Sequence, residues 1–112
     1  MRLETRVCLD DMIRACELIQ HAIAGLAEEE FLAKWEKQSA VERQFMIVGE
    51  ALARINRLEP SVFESIPDAR AIVGFRNVLV HGYDVADPKA VFELAGSPVR
   101  ELISLVEEML ES

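Results

Sequence analysis

The stretch that decides the fold is Ala71–Asp84, AIVGFRNVLVHGYD. At about 100° per residue, with Ile72 as zero, its apolar residues Ile72, Val73, Phe75, Val78, Leu79 and Val80 cover most of a helical wheel. The narrow gap holds Gly74, Asn77 and His81. A helix patterned this way has little surface to offer water. Arg76 falls inside the apolar arc at about 40°, and His81 lies about 140° from it, so one helix does not bring the two together. A buried guanidinium without partners is too costly to keep; Arg76 must therefore meet a carboxylate, for which Glu50 is a candidate, or face a cleft. Glycine in a helix interior costs about 1 kcal/mol relative to alanine, so Gly74 marks the gap face as a contact with another helix or another subunit.

Outward from this segment the punctuation is helical throughout. The β-branched run at 78–80 lies inside the longer helical window, and no strand candidate survives. Residues 3–25 carry apolar positions at Leu3, Val7, Ile13, Cys16, Leu18 and Ile19, and Gly25 is placed to end that helix. A short helix is expected through EEEFLAKWEK, with three acids at its positive end. Ser39 with Glu42 makes a capping-box pattern, which predicts a helix from about residue 40 to Leu58, before Pro60. EPSVFESIPD reads as a connection. Pro67 then sits near the start of the helix that ends at Gly82, and Asp87–Pro88 supplies an N-cap and first-turn proline for a last helix, kinked or broken near Pro98. The fold class is all-α, an antiparallel bundle of about five helices in a single domain over residues 1–112.

Composition narrows the function classes. The 112 residues carry a formal net charge of −8, which argues against broad non-specific nucleic-acid binding and confines any nucleic-acid site to a local patch. No apolar run is long enough to span a membrane, and the N-terminal segment alternates charged with apolar residues, unlike a signal peptide; the expectation is a soluble cytoplasmic protein. Cys8 and Cys16 are about 12 Å apart along one helix, too far to bridge, and read as small core residues. No metal-ligand spacing, phosphate-binding glycine loop or nucleophilic triad is present, so neither metal nor cofactor is expected. A candidate local patch lies on the helix after residue 40, where Arg43, Glu50, Arg54 and Arg57 share an arc of about 60° opposite Val41, Phe45, Val48, Leu52 and Ile55. The plain reading is a solvated face with a Glu50–Arg54 pair. The sharper one is a strip of positive potential for RNA. Glu101, Glu107, Glu108 and Glu111 read as a solvated face, and His21 has no motif around it.

Taken singly, the polar residues of the opening stretch have ordinary explanations. His81 reads as a helix C-terminal cap, Arg76 as half of a buried ion pair, and Tyr83 as a packed aromatic. Together, Arg76, Asn77, three apolar residues, His81, Gly82 and Tyr83 resemble the R-x4-H-x-Y signature of the HepT-like toxins, a branch of the HEPN superfamily of ribonucleases. The likeness extends upstream. VERQFMIVGEALARI is similar to that family's V-x-R-x-x-x-x-I-G-E-A helix, AIVGFRNVLVHGY to its A-I-A-G-M-R-D-x-L-I-H-G-Y segment, and LDDMIRACELI occupies the expected place before both. Where the family commonly has Ile-Pro-Trp, this chain has Ile66-Pro67-Asp68.

The resemblance implies a homodimer of HEPN-like bundles in which Arg76 and His81 from two copies meet in a cleft and cut RNA without metal, with Asn77 as an auxiliary group. It also implies that a nucleotidyltransferase antitoxin of the MntA-like kind attaches AMP to Tyr83 to neutralise the toxin. The chemistry suits the residues: histidine exchanges protons near neutrality, and arginine offers a permanently charged fork for phosphate. The alternative is a non-catalytic helical subunit that positions substrate for a nucleotidyltransferase. The Arg76–His81 pair favours the nuclease, since a binding module needs no proton acceptor beside a phosphate ligand.

Overall fold

The computed structural model describes residues 1–81 and 86–112, and all of its regular structure is helical: α1 (Leu3–Ile23), α2 (Glu28–Leu32), α3 (Trp35–Leu58), α4 (Pro60–Glu64), α5 (Ala69–His81), α6 (Pro88–Ala95) and α7 (Ser97–Glu111). The class is all-α, as expected, with seven helices among the described residues. The two extra elements come from prolines and glycines acting as stops. EPSVFESIPD is not a plain connection, because Pro60 opens the one-turn α4. Gly96 and Pro98 divide the expected last helix into α6 and α7.

Two boundaries differ from expectation for identifiable reasons. Ser39 does not cap α3, which starts four residues earlier at Trp35. The Gln38 side chain donates to the carbonyls of Phe31 and Leu32, satisfying the last turn of α2 from inside the first turn of α3, so the two helices abut without a polar cap. α5 starts at Ala69 rather than at Pro67, after Asp68 at a left-handed φ of 62°. Gly25 at φ 77° ends α1 as predicted, and Asp87 caps α6 by accepting from the Lys89 N–H at 3.1 Å.

The core is built on α1 and α3, which run antiparallel: Thr5 reaches Glu59, while Cys16 lies beside Phe45 and Val48. α3 buries Val41, Phe45, Val48, Leu52 and Ile55, the stripe read from its sequence. Of the apolar positions named for α1, Cys16 and Ile19 belong to its buried seam. That seam runs Thr5, Cys8, Leu9, Met12, Ala15, Cys16 and Ile19, at helical spacing, whereas Leu3, Val7 and Leu18 are exposed on another face. α7 returns along α1, with Arg6 donating to the Leu110 carbonyl at 2.8 Å, and Phe31 of α2 packs on Phe92 of α6 with ring centroids 5.2 Å apart. Both cysteines are buried and unbridged; burial raises both thiols, Cys16 to about 12, so they stay protonated. No helix among the described residues is long and apolar enough to cross a membrane.

One carboxylate ties the ends of the two core helices. Glu59, just past α3, accepts from the Arg2 backbone N–H at 2.5 Å and from the buried Thr5 hydroxyl at 2.8 Å. These donors hold its carboxyl below the usual range, the backbone N–H contributing most. Since the folded value lies below the unfolded one, ionised Glu59 stabilises the fold at neutral pH, and that contribution is lost as pH falls through the lowered folded value. Glu59→Gln is therefore expected to melt earlier than wild type at pH 7 and to lose less stability on acidification, as thermal melts at neutral and acid pH would record.

Candidate active site

Arg76 is placed by a close approach of α5 to α3. Gly49 is buried on the inner face of α3, and a Cβ built there would lie 2.2 Å from Arg76 Cβ and 2.6 Å from its Cγ. Only a glycine lets the stem of Arg76 lie against the α3 backbone. The guanidinium then reaches Glu50, whose Oε2 accepts from Nη2 at 2.5 Å, and Asn77, whose Oδ1 accepts from Nη1 at 2.9 Å. Its Nε–H is buried and has no acceptor among the described residues. Of the two environments expected for Arg76, the structure supplies both: a carboxylate partner and a cleft.

That cleft, of about 330 Å³, lies between α1, α3 and α5. Cys8 and Asp11 line it from α1, Arg43, Glu50 and Arg54 from α3, and Arg76 and Val80 from α5. The arc read from the α3 sequence is thus exposed as expected, but its parts separate. Arg43 and Arg54 face the cleft with Arg76, whereas Arg57, one turn further on, is not among its lining residues. The expected Glu50–Arg54 pair is replaced, because the Glu50 carboxylate is taken by Arg76 from the neighbouring helix.

His81 is the last residue of α5 and is exposed, as is Asn77. It is not among the residues lining the Arg76 cleft, in keeping with the wide angle between the two on one helix. Gly82 and Tyr83, the rest of the signature, lie outside the described residues. His21 is exposed in the last turn of α1. No group of three or more His, Cys, Asp or Glu side chains among the described residues is arranged to hold a metal ion.

One expectation about α5 needs correction. Its nearly all-round apolar pattern does not bury it: Ala69 and Leu79 are its buried residues, while Val78 and Val80 are each about 40% exposed. The reason is that α3 is the helix it packs against extensively, with Phe75 edge-on to Phe45 at 5.5 Å, and its other flanks are open. One of those flanks forms an apolar groove of about 540 Å³ with α7, its walls including Ala71, Ile72, Phe75, Leu102 and Leu105. Of the two contacts expected at Gly74, with another helix or with another subunit, the first is absent among the described residues of this chain: nothing lies within 4 Å of where its Cβ would be. The glycine that the interior-helix argument should have singled out is Gly49, which falls about 40° from Phe45 on the buried side of α3.

Matched against protein-family models, the chain fits the one described as Ribonuclease HepT-like over residues 12–109, a span that starts within α1 and contains all of α3 and α5. The chain belongs to the HepT-like ribonuclease family. A curated relative of this HepT-like chain, named as a candidate RNase, comes from Caldanaerobacter subterraneus subsp. tengcongensis. It is 24% identical over 106 residues, covering 95% of this chain and 94% of that protein. No solved structure matches the chain.

The packing of α5 on α3 makes Gly49 the position where the site and the fold are least separable. A methyl group at this point meets the inner atoms of Arg76 rather than a movable tip, so α5 must shift away from α3. Gly49→Ala is expected to cost about 1–3 kcal/mol in urea unfolding, despite the better helix propensity of alanine, and to break the Arg76–Glu50 contact.

Proposed function

We propose that residues 1–112 act as one domain that pairs with a second copy to form a metal-independent endoribonuclease, the toxin of a toxin–antitoxin pair. The observation that carries this reading is the guanidinium of Arg76, set into an open cleft beside two further arginines in an otherwise acidic protein of a ribonuclease family. Positive charge concentrated in a cleft draws a polyanion that the whole molecule would repel. Arg43 and Arg54 are the backbone contacts nearest the reaction, and Arg57 extends the strip outward along α3.

In this reading the RNA 2′-hydroxyl attacks the adjacent phosphorus, its proton passing to a base, and the bond to the 5′-oxygen breaks as that oxygen takes up a proton. A 2′,3′-cyclic phosphate and a free 5′-hydroxyl result. His81 handles a proton, Arg76 neutralises charge on the non-bridging oxygens, and Asn77 orients the phosphate or the guanidinium. Within one chain Arg76 and His81 diverge; a two-fold pairing through the open flank of α5 brings the Arg76 of one copy toward the His81 of the other. The uncovered Ala71, Gly74 and Val78 on that flank support α5 as the interface.

Cleavage of labelled RNA in the presence of EDTA is the deciding measurement. Wild type should cut, while His81→Ala and Arg76→Ala should each lose at least about a hundredfold in rate with helical content unchanged. Stimulation of a nucleotidyltransferase without any RNA cleavage would instead select the binding-subunit reading.

The partner in this reading is an MntA-like nucleotidyltransferase antitoxin that transfers AMP to the Tyr83 hydroxyl, two residues beyond His81. An added nucleotide there brings negative charge and bulk to the place where substrate phosphate must sit. Co-expression with such a partner followed by mass spectrometry should find AMP on the peptide containing Tyr83, and Tyr83→Phe should remain toxic in its presence.

A further inference from the structure

We propose that Glu50 is the positioning residue for Arg76: its carboxylate fixes the guanidinium in one setting, so that the N–H groups left free on its two Nη atoms face an incoming phosphate. This rests on the reading that Arg76 is the phosphate ligand. Three observations carry it. The stem of Arg76 is pinned at Cβ and Cγ against Gly49, so the side chain enters the cleft from one direction. The guanidinium is then held from both sides, by Glu50 of α3 on Nη2 and by Asn77 of α5 on Nη1. Finally, Arg43 and Arg54 line the same cleft, and their like charges push on Arg76; without the Glu50 anion the guanidinium would swing out of register.

Stability does not account for the pair. The Glu50 side chain is 54% exposed and that of Arg76 27%, and an ion pair so open to water contributes little to folding. Substrate affinity does not account for it either, since a carboxylate beside the phosphate site repels the substrate. Glu50 therefore weakens binding of the anion while improving the geometry at which it is met, and these two effects act in opposite directions on KM and kcat. That opposition is the signature of a positioning residue here.

The test compares wild type, Glu50→Ala and Glu50→Gln in steady-state cleavage of a labelled RNA, with thermal melts of each. Glu50→Ala should lose about ten- to a hundredfold in kcat with KM unchanged or lowered and its melting temperature unmoved. Glu50→Gln keeps an oxygen that accepts from Nη2, and should recover most of the lost kcat while binding RNA more tightly. Wild-type kcat in Glu50→Ala, or an equal loss in both variants, overturns the proposal. Independently of cleavage, nitrogen-15 spectra of the free protein should resolve the Arg76 Nη groups in wild type and lose them in Glu50→Ala. If wild type does not cut RNA, the nuclease reading fails, and these spectra still decide whether Glu50 holds the guanidinium; unchanged Nη signals overturn it.

Discussion

The structure turns on the absence of one methyl group. Gly49 lets α5 settle onto α3 closely enough that the stem of Arg76 touches backbone, and the arrangement of the cleft follows from that contact. With the stem held, the guanidinium falls within reach of the next residue along α3, Glu50, and of its own neighbour Asn77. The glycine and the glutamate are adjacent because the two tasks are adjacent: one admits the arginine and the other receives its charge. The Gly49–Glu50 pair in the middle of α3 thus has a physical explanation that neither residue has alone.

The electrostatics follow the same economy. A chain with net charge −8 gains solubility but resists polyanions. Its acids lie largely away from the cleft, with Glu101, Glu107, Glu108 and Glu111 exposed on α7. Arg43, Arg54 and Arg76 converge from two helices on one hollow, where Asp11 and Glu50 stop the three cations from driving each other apart. Local concentration of charge achieves what a basic protein would obtain everywhere, with less indiscriminate binding.

Much of this was legible in the residues, and the misreadings share a cause. The apolar stripe of α3 was readable because it is regular and faces one continuous core, and Asp87–Pro88 was readable because a cap is a local structure. The start of α3 was not, since Ser39 and Glu42 make a good local signal that Gln38 overrides by bonding to the end of a different helix. The apolar positions of α1 mark a helix without marking its inner face, because they fall on two faces and hydrophobicity alone does not choose between them; the buried seam includes Thr5, which is tolerable inside only because Glu59 receives its hydroxyl. The same limit applies at the site. Arg76 and Glu50 could be suspected as partners from their chemistry, but the choice of Gly49 over Gly74 as the point of approach depends on which helix face meets which neighbour.

The dependence of α5 on a single neighbour has a thermodynamic consequence. An element that buries two of its residues and leans on one helix has a smaller opening free energy than α1 or α3, which are enclosed on several sides. Detachment of α5 would scatter Arg76, Asn77 and His81 while leaving the rest of the bundle hydrogen-bonded. Order among these three residues is then a local equilibrium, distinct from whether the protein is folded. Backbone amides of α5 would exchange with solvent ahead of those in α3, and whatever covers the open flank would slow that exchange by mass action. In a helix held this way, the placement of Arg76 depends on what is docked against α5 as well as on the sequence of α5 itself.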